Sequence, residues 1–181
     1  MSTTQYLFAG FGGQGILFSG KVLAYKGLTD GKNVSWLPSY GPEMRGGTAS
    51  CSVIISDTAV GSPIVEKPDV LVAMNLPSLD LYEERVKSGG IIFVDSSLID
   101  RKVKRTDVTA YYIPATKMAS DNNISKLANV ILLGKVLKET NGFTNEQGVI
   151  DALKKVISAK HADMLEINLN ALKLGRDYKG E

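Results

Sequence analysis

Apolar positions recur along this chain with two alternating periods, short unbroken or alternating runs and longer stretches with a helical repeat. Residues 5–9 read as a buried strand and 15–27 as the helix after it, closed by a glycine. Residues 33–37 read as the second strand, ended by Pro38. Over 48–56, Ala49, Cys51, Val53 and Ile55 fall on one face and Ser50, Ser52 and Ile54 on the other, the pattern of a half-covered strand. Residues 57–67 form a connection with room for a short strand at 58–61, folded back as a hairpin. Residues 69–74 are apolar throughout, as in a parallel strand. A helix then opens at Asn75 and runs to Val86, with Leu79, Tyr82 and Val86 on one side. Strands follow at 91–95 and 108–113.

The last third is helical. Residues 124–139 place Leu127, Ile131, Leu132 and Val136 at helical spacing, and Gly134 suggests a close packing contact. Thr144 and Gln147 have capping-box spacing before an amphipathic helix carrying Val149, Ile150, Leu153, Val156 and Ile157. A final helix spans 162–174. Strands interleaved with helices predict an α/β fold: one Rossmann-like, three-layer domain over residues 1–181, with a mostly parallel sheet and C-terminal helices.

Two stretches depart from this regular patterning. The first joins strand one to its helix, where Gly10, Gly12 and Gly15 have the G-x-G-x-x-G spacing, with Gly13 and Gln14 between them. Glycines there permit a tight turn and a close backbone approach, and the helix behind them aims its positive end at the same place. The pattern suits either a phosphate or close packing. The second, residues 38–47, holds two prolines and three glycines with Ser39, Tyr40, Glu43 and Arg45 among them. It is a shaped loop, and a doubly wound sheet would set it at the same edge as the glycine loop. Arg45 suits a phosphate or carboxylate; a Glu43–Arg45 pair that locks the loop or meets another subunit fits equally well. No carboxylate closes the second strand before Glu43, which argues against NAD.

Composition narrows the chemistry. Twenty-one basic against nineteen acidic residues give a net charge of +2, which calls for neither nucleic acid nor an acidic membrane. The basic run at 101–105 reads as a solvated turn. Cys51, the single cysteine, reads as a buried structural thiol, and with one histidine, His161, no metal site is expected from this chain. His161 falls between predicted helices, far in sequence from both loops, as an exposed or capping residue. The polar start leads straight into a strand, so no signal peptide is expected, and runs such as 130–133 are too short to span a bilayer. A soluble, cytoplasmic chain is expected. P-loop and G-x-S-x-G motifs are absent, and no catalytic residue stands out.

At the two loops the chain resembles a known family. Residues 8–15 and 35–49, with 61–64 and 69–75, are similar to the gamma subunit of 2-oxoacid:ferredoxin (acceptor) oxidoreductases, the likeness running from about Tyr6 to Leu98. The resemblance implies a subunit of an enzyme that converts a 2-oxoacid and coenzyme A to acyl-CoA and carbon dioxide, passing two electrons to ferredoxin. It also implies that thiamine diphosphate, Mg2+ and iron–sulfur clusters sit in alpha, beta and, where present, delta subunits, and that this chain alone binds no cofactor. The family's loops fall on Gly10–Gly15 and on Tyr40–Gly47, so Gly10, Gly12, Gly13, Gln14, Gly15, Ser39, Tyr40, Glu43 and Arg45 become the candidates for seating coenzyme A or bracing partner loops that do. The Ile54 face and the C-terminal helices are candidates for subunit contact. The Trp36–Tyr40 wording favours 2-oxoglutarate or branched-chain 2-oxoacids over pyruvate. The alternatives are the small subunit of an indolepyruvate enzyme and a stand-alone nucleotide- or acyl-CoA-binding module.

Overall fold

The computed structural model describes residues 2–39 and 48–180. The strands are β1 (Thr3–Phe11), β2 (Asn33–Ser39), β3 (Thr48–Ser56), β4 (Val70–Ala73), β5 (Ile91–Asp95) and β6 (Thr109–Ile113). They form one sheet in the order β2-β3-β1-β4-β5-β6. β1, β4, β5 and β6 are mutually parallel. β3 runs antiparallel between β1 and β2 over its whole length. β2 is therefore parallel to β1 with one strand between them.

This order corrects two expectations. No strand forms at 58–61. β3 already has β1 on one side and β2 on the other, so it has no open hydrogen-bonding edge for a hairpin partner. Pro38 does not end β2 but lies within it, opposite Cys51. It is tolerated because β2 is the sheet's outer strand, where a missing N–H breaks no ladder.

The helices are α1 (Ile16–Thr29), α2 (Leu76–Tyr82), α3 (Ala115–Asp121), α4 (Ala128–Glu139), α5 (Glu146–Val156) and α6 (Met164–Asp177). They divide unequally between the two faces. α1, α3, α4, α5 and α6 cover the face carrying Tyr6, Phe8, Val70, Val72 and Phe93. α2 and its 3-10 extension cover Leu7, Leu71, Ala73, Ile92 and Val94 on the other. Leu79 and Val86 are in that second core and Tyr82 packs against it, as their spacing predicts. α3 was not anticipated; it is a short helix following Pro114, too brief to show a periodic stripe. The cap of α5 also differs from the capping-box reading. Asn145 Oδ1 accepts from Gly148 N at 2.9 Å, while Thr144 Oγ1 donates to the Asn141 carbonyl. Asparagine is the stronger N-cap of the two neighbours.

The basic run is more than a solvated turn. Arg101 bridges Asp80 and the buried Glu83, at 2.5 and 2.8 Å. The Glu83 carboxylate also accepts the backbone N–H groups of Lys104 and Arg105. One acid thereby pins the β5–β6 connection onto α2's extension. Ile54 is only 4% exposed, so β3 is covered on its second face there and offers no open apolar patch.

Two contacts bring backbone against backbone or sulfur. α4 crosses α6 where Gly134 faces the Leu172 carbonyl and Gly175 faces the Ile131 carbonyl; a Cβ at either glycine would overlap that oxygen. α1 crosses β3 where Gly20 lies on the Cys51 sulfur. Burial pushes the Cys51 thiol up to about 12, the Trp36 indole opposing the shift.

Gly134→Ala is expected to destabilise the chain by about 1–3 kcal/mol through overpacking, read as a lowered urea midpoint. Cys51 is expected to stay unmodified by iodoacetamide at pH 8 in the native chain and to react once urea unfolds it, followed by intact mass; alkylation at the free-thiol rate under native conditions would show the thiol to be open.

Candidate functional site

The glycine loop sits at the carboxyl edge of the parallel strands, where an α/β sheet presents its crevice. Its shape comes from its own side chains. Gln14 Oε1 accepts from Phe11 N at 2.6 Å, closing the turn, and Gln14 Nε2 donates to the Met74 carbonyl at 3.0 Å, tying the turn to the end of β4. Gly10 has no room for a Cβ, which would lie 2.5 Å from Ile16 Cδ1 and 2.6 Å from Gln14 Oε1. Gly15 caps α1 in the left-handed region, φ 76°, with Asn129 against it; a Cβ there would lie 2.5 Å from Asn129 Nδ2. Asn129 Nδ2 donates to the Gly15 carbonyl at 3.0 Å and to Ser19 Oγ at 3.1 Å. Gly10 and Gly15 therefore serve close packing.

Gly13 is different. It too is left-handed, φ 91°, but a Cβ there would meet nothing within 4 Å. It is exposed beside exposed Gly12 and Phe11, so this tip is the part of the loop free to face another molecule. Ser39 ends β2 at the same edge: it pairs with Ser50, which pairs in turn with Ala9. One strand separates Ser39 from β1, so it lies ~10 Å from the glycine loop's strand. In a dinucleotide-binding fold the strand after the first helix adjoins β1; here β3 fills that place, a further departure from NAD binding. Tyr40, Glu43 and Arg45 lie outside the described residues. Their segment is anchored by Ser39 and Thr48, both at this edge.

Beside Gln14 stand two residues that sequence reading used only as a helix start. Asn75 caps α2, its Oδ1 accepting from Ser78 N at 2.8 Å. Among the described residues, Asn75 Nδ2 and Ser78 Oγ are buried with no hydrogen-bond partner. Both are donors left without an acceptor there.

A cleft of about 600 Å3 opens on the other side of Gly15. Phe18, Leu127, Val156, Ile157 and Met164 give it apolar walls, with Asn129, Asn168, Lys126 and His161 among them. His161 is exposed, as expected, yet despite its distance in sequence it shares this cleft with the glycine loop. Asn129 and Asn168 were missed. The available signal was a polar carboxamide inside an otherwise buried helical stripe, at Asn129 in α4 and at Asn168 in α6.

Comparison with known proteins agrees with this architecture. Residues 5–178 match the family model described as pyruvate ferredoxin/flavodoxin oxidoreductase. The ketoisovalerate oxidoreductase subunit VorA of Methanothermobacter marburgensis is 41% identical over 94% of this chain and 35% of its own length. The 2-oxoglutarate synthase subunit KorC of Methanocaldococcus jannaschii is 37% identical over 84% of this chain and 85% of its own. The chain thus spans about a third of the VorA relatives, at 35% and 36%, and most of KorC. Among solved structures, the keto/oxoacid ferredoxin oxidoreductase gamma subunit of Geobacter sulfurreducens superposes with a TM-score of 0.80 at 28% identity, covering 95% of both chains. A 2-oxoglutarate:ferredoxin oxidoreductase of Magnetococcus marinus shares the fold, with a TM-score of 0.85 at 23% identity over 97% of this chain and 31% of that one. The chain belongs to the pyruvate ferredoxin/flavodoxin oxidoreductase family.

Proposed function

We propose that this chain is the gamma-type subunit of a 2-oxoacid:ferredoxin oxidoreductase and that its carboxyl-edge loops help seat coenzyme A where subunits meet. The observation that carries the reading is the full-length likeness to a gamma subunit, 95% of each chain. The residues agree with a supporting subunit. The one thiol is buried and held protonated, so it does not suit an iron–sulfur cluster. The complex would oxidise a 2-oxoacid and coenzyme A to acyl-CoA and carbon dioxide, with two electrons leaving to ferredoxin. Thiamine diphosphate supplies the carbanion chemistry and would sit, with Mg2+ and the clusters, in alpha, beta or delta chains.

This chain's own part is binding and orientation. The open tip at Gly12–Gly13 and the amino end of α1 behind it suit a phosphate or a carbonyl oxygen. The Magnetococcus protein of the same fold was solved with 2-oxoglutarate, coenzyme A and succinyl-CoA, which names the ligand class to test. Relatives at 41% and 37% identity name ketoisovalerate and 2-oxoglutarate, while those that name pyruvate beside ketoisovalerate stand at 28%, which supports branched-chain 2-oxoacids or 2-oxoglutarate over pyruvate and over arylpyruvates. Cytoplasmic placement is part of the same proposal; among the described residues no helix is long and apolar enough to cross a membrane.

The deciding experiment is a native pull-down of the tagged chain from its own host, assayed with several 2-oxoacids, coenzyme A and a viologen dye. Larger chains with coenzyme A-dependent dye reduction are expected; the chain alone, carrying a nucleotide or acyl-CoA, would establish the stand-alone module instead. Within the complex, Arg45→Ala is expected to raise the apparent KM for coenzyme A roughly ten-fold, the scale of one charge-assisted hydrogen bond. An unchanged KM with loss of assembly would assign Arg45 to bracing a partner. Gln14→Leu is expected to cost about 1–2 kcal/mol in urea unfolding, because it strips partners from Phe11 N and the Met74 carbonyl.

A further inference from the structure

The cleft beside Gly15 holds features that the family reading does not explain. Its walls are apolar, built from Phe18, Leu127, Ile157 and Met164 among others. One buried polar side chain in it is incomplete. Asn168 is 3% exposed; its Nδ2 donates to the Met164 carbonyl at 2.8 Å, and its Oδ1 has no partner among the described residues. A buried acceptor without a donor is destabilising, and an incoming N–H would relieve it. By contrast, Asn129, the other carboxamide in the cleft, is engaged with Gly15 and Ser19.

The rim of the cleft is rich in lysine. Lys126 and His161 line it, and Lys154, Lys155 and Lys160 stand exposed on the segment that forms one wall. Acids near these lysines in sequence are Asp121, Asp151, Asp163 and Glu166. Among the described residues no salt bridge engages Lys126, Lys154, Lys155 or Lys160.

We propose that this cleft receives an extended acidic segment of a larger partner subunit, which sets one aliphatic or aromatic side chain between Phe18 and Met164 and donates a backbone N–H to Asn168. The proposal rests on the subunit reading. An extended polypeptide brings the three things the cleft lacks: an apolar side chain, a main-chain N–H beside it, and carboxylates for the rim. A small-molecule site would converge several buried polar groups on its ligand, whereas here, among the described residues, Asn168 Oδ1 is the one buried polar atom of the cleft without a partner. In one relative the matched residues make up only 35% of the chain, so further protein accompanies this domain there.

The test titrates the purified full-length chain against the larger subunits of its complex, at low and high salt, alongside melting of the chain alone. Lys126→Glu is expected to weaken assembly about ten-fold at low salt, with the gap closing at high salt. Asn168→Leu is expected to weaken it about five-fold, while the isolated variant melts at or above the wild-type temperature because an unmet polar atom has gone. A purely structural Asn168 would instead lower the melting temperature and leave the dissociation constant alone. Wild-type affinity in both variants overturns the proposal while leaving the subunit reading intact. A small molecule held by the isolated wild-type chain in native mass spectra, and lost on Met164→Trp, also overturns it. Failure of the wild-type chain to bind any larger subunit overturns the subunit reading and this proposal together.

Discussion

The carboxamide of Asn129 resting on the carbonyl of Gly15 is the contact on which the working edge of the molecule depends. It joins the glycine loop to α4, which is buried along most of its length, so the mouth of the sheet is referenced to the deepest helix rather than to solvent. It requires glycine at position 15 twice over, for the left-handed backbone and for the space the carboxamide occupies. The same contact separates two regions. On one side lie the open loop tip and the donors of Asn75 and Ser78; on the other lies the apolar cleft with Asn168.

The second constraint is the reversed strand. With β3 between β1 and β2, the chain keeps the strand–turn–helix opening of a nucleotide fold but moves the next parallel strand a full step outward. The edge of the sheet is widened there, and the segment that follows Ser39 begins and ends at that widened edge. The same insertion explains why Pro38 is harmless and why residues 58–61 find no strand to pair with.

Much of this was legible in the chain because local patterns and the fold agree. β5 matches its apolar run end for end, and the glycine loop lies where its spacing put it. Gly134 was readable as a packing site because a glycine inside an apolar helical run has few other uses; its counterpart Gly175, near a polar tail, gave no such signal. What sequence reading lost were relations between distant residues. Nothing local says that β3 reverses, that Glu83 gathers the amides of residues 104 and 105, or that His161 stands near Gly15. The division of labour within G-x-G-x-x-G was also hidden: Gly10 and Gly15 are needed for space, whereas Gly13 is open.

The glycine crossing of α4 and α6 bears on kinetics. Because the helices meet backbone to backbone at Gly134 and Gly175, no rotamer can swing aside to let one slide along the other. The helical turn carrying Met164 and Asn168 is part of that locked pair, so this wall of the cleft is held in place by the crossing. Whatever enters it meets helical walls that are already ordered, so entry is limited by encounter rather than by a rearrangement of α4 against α6.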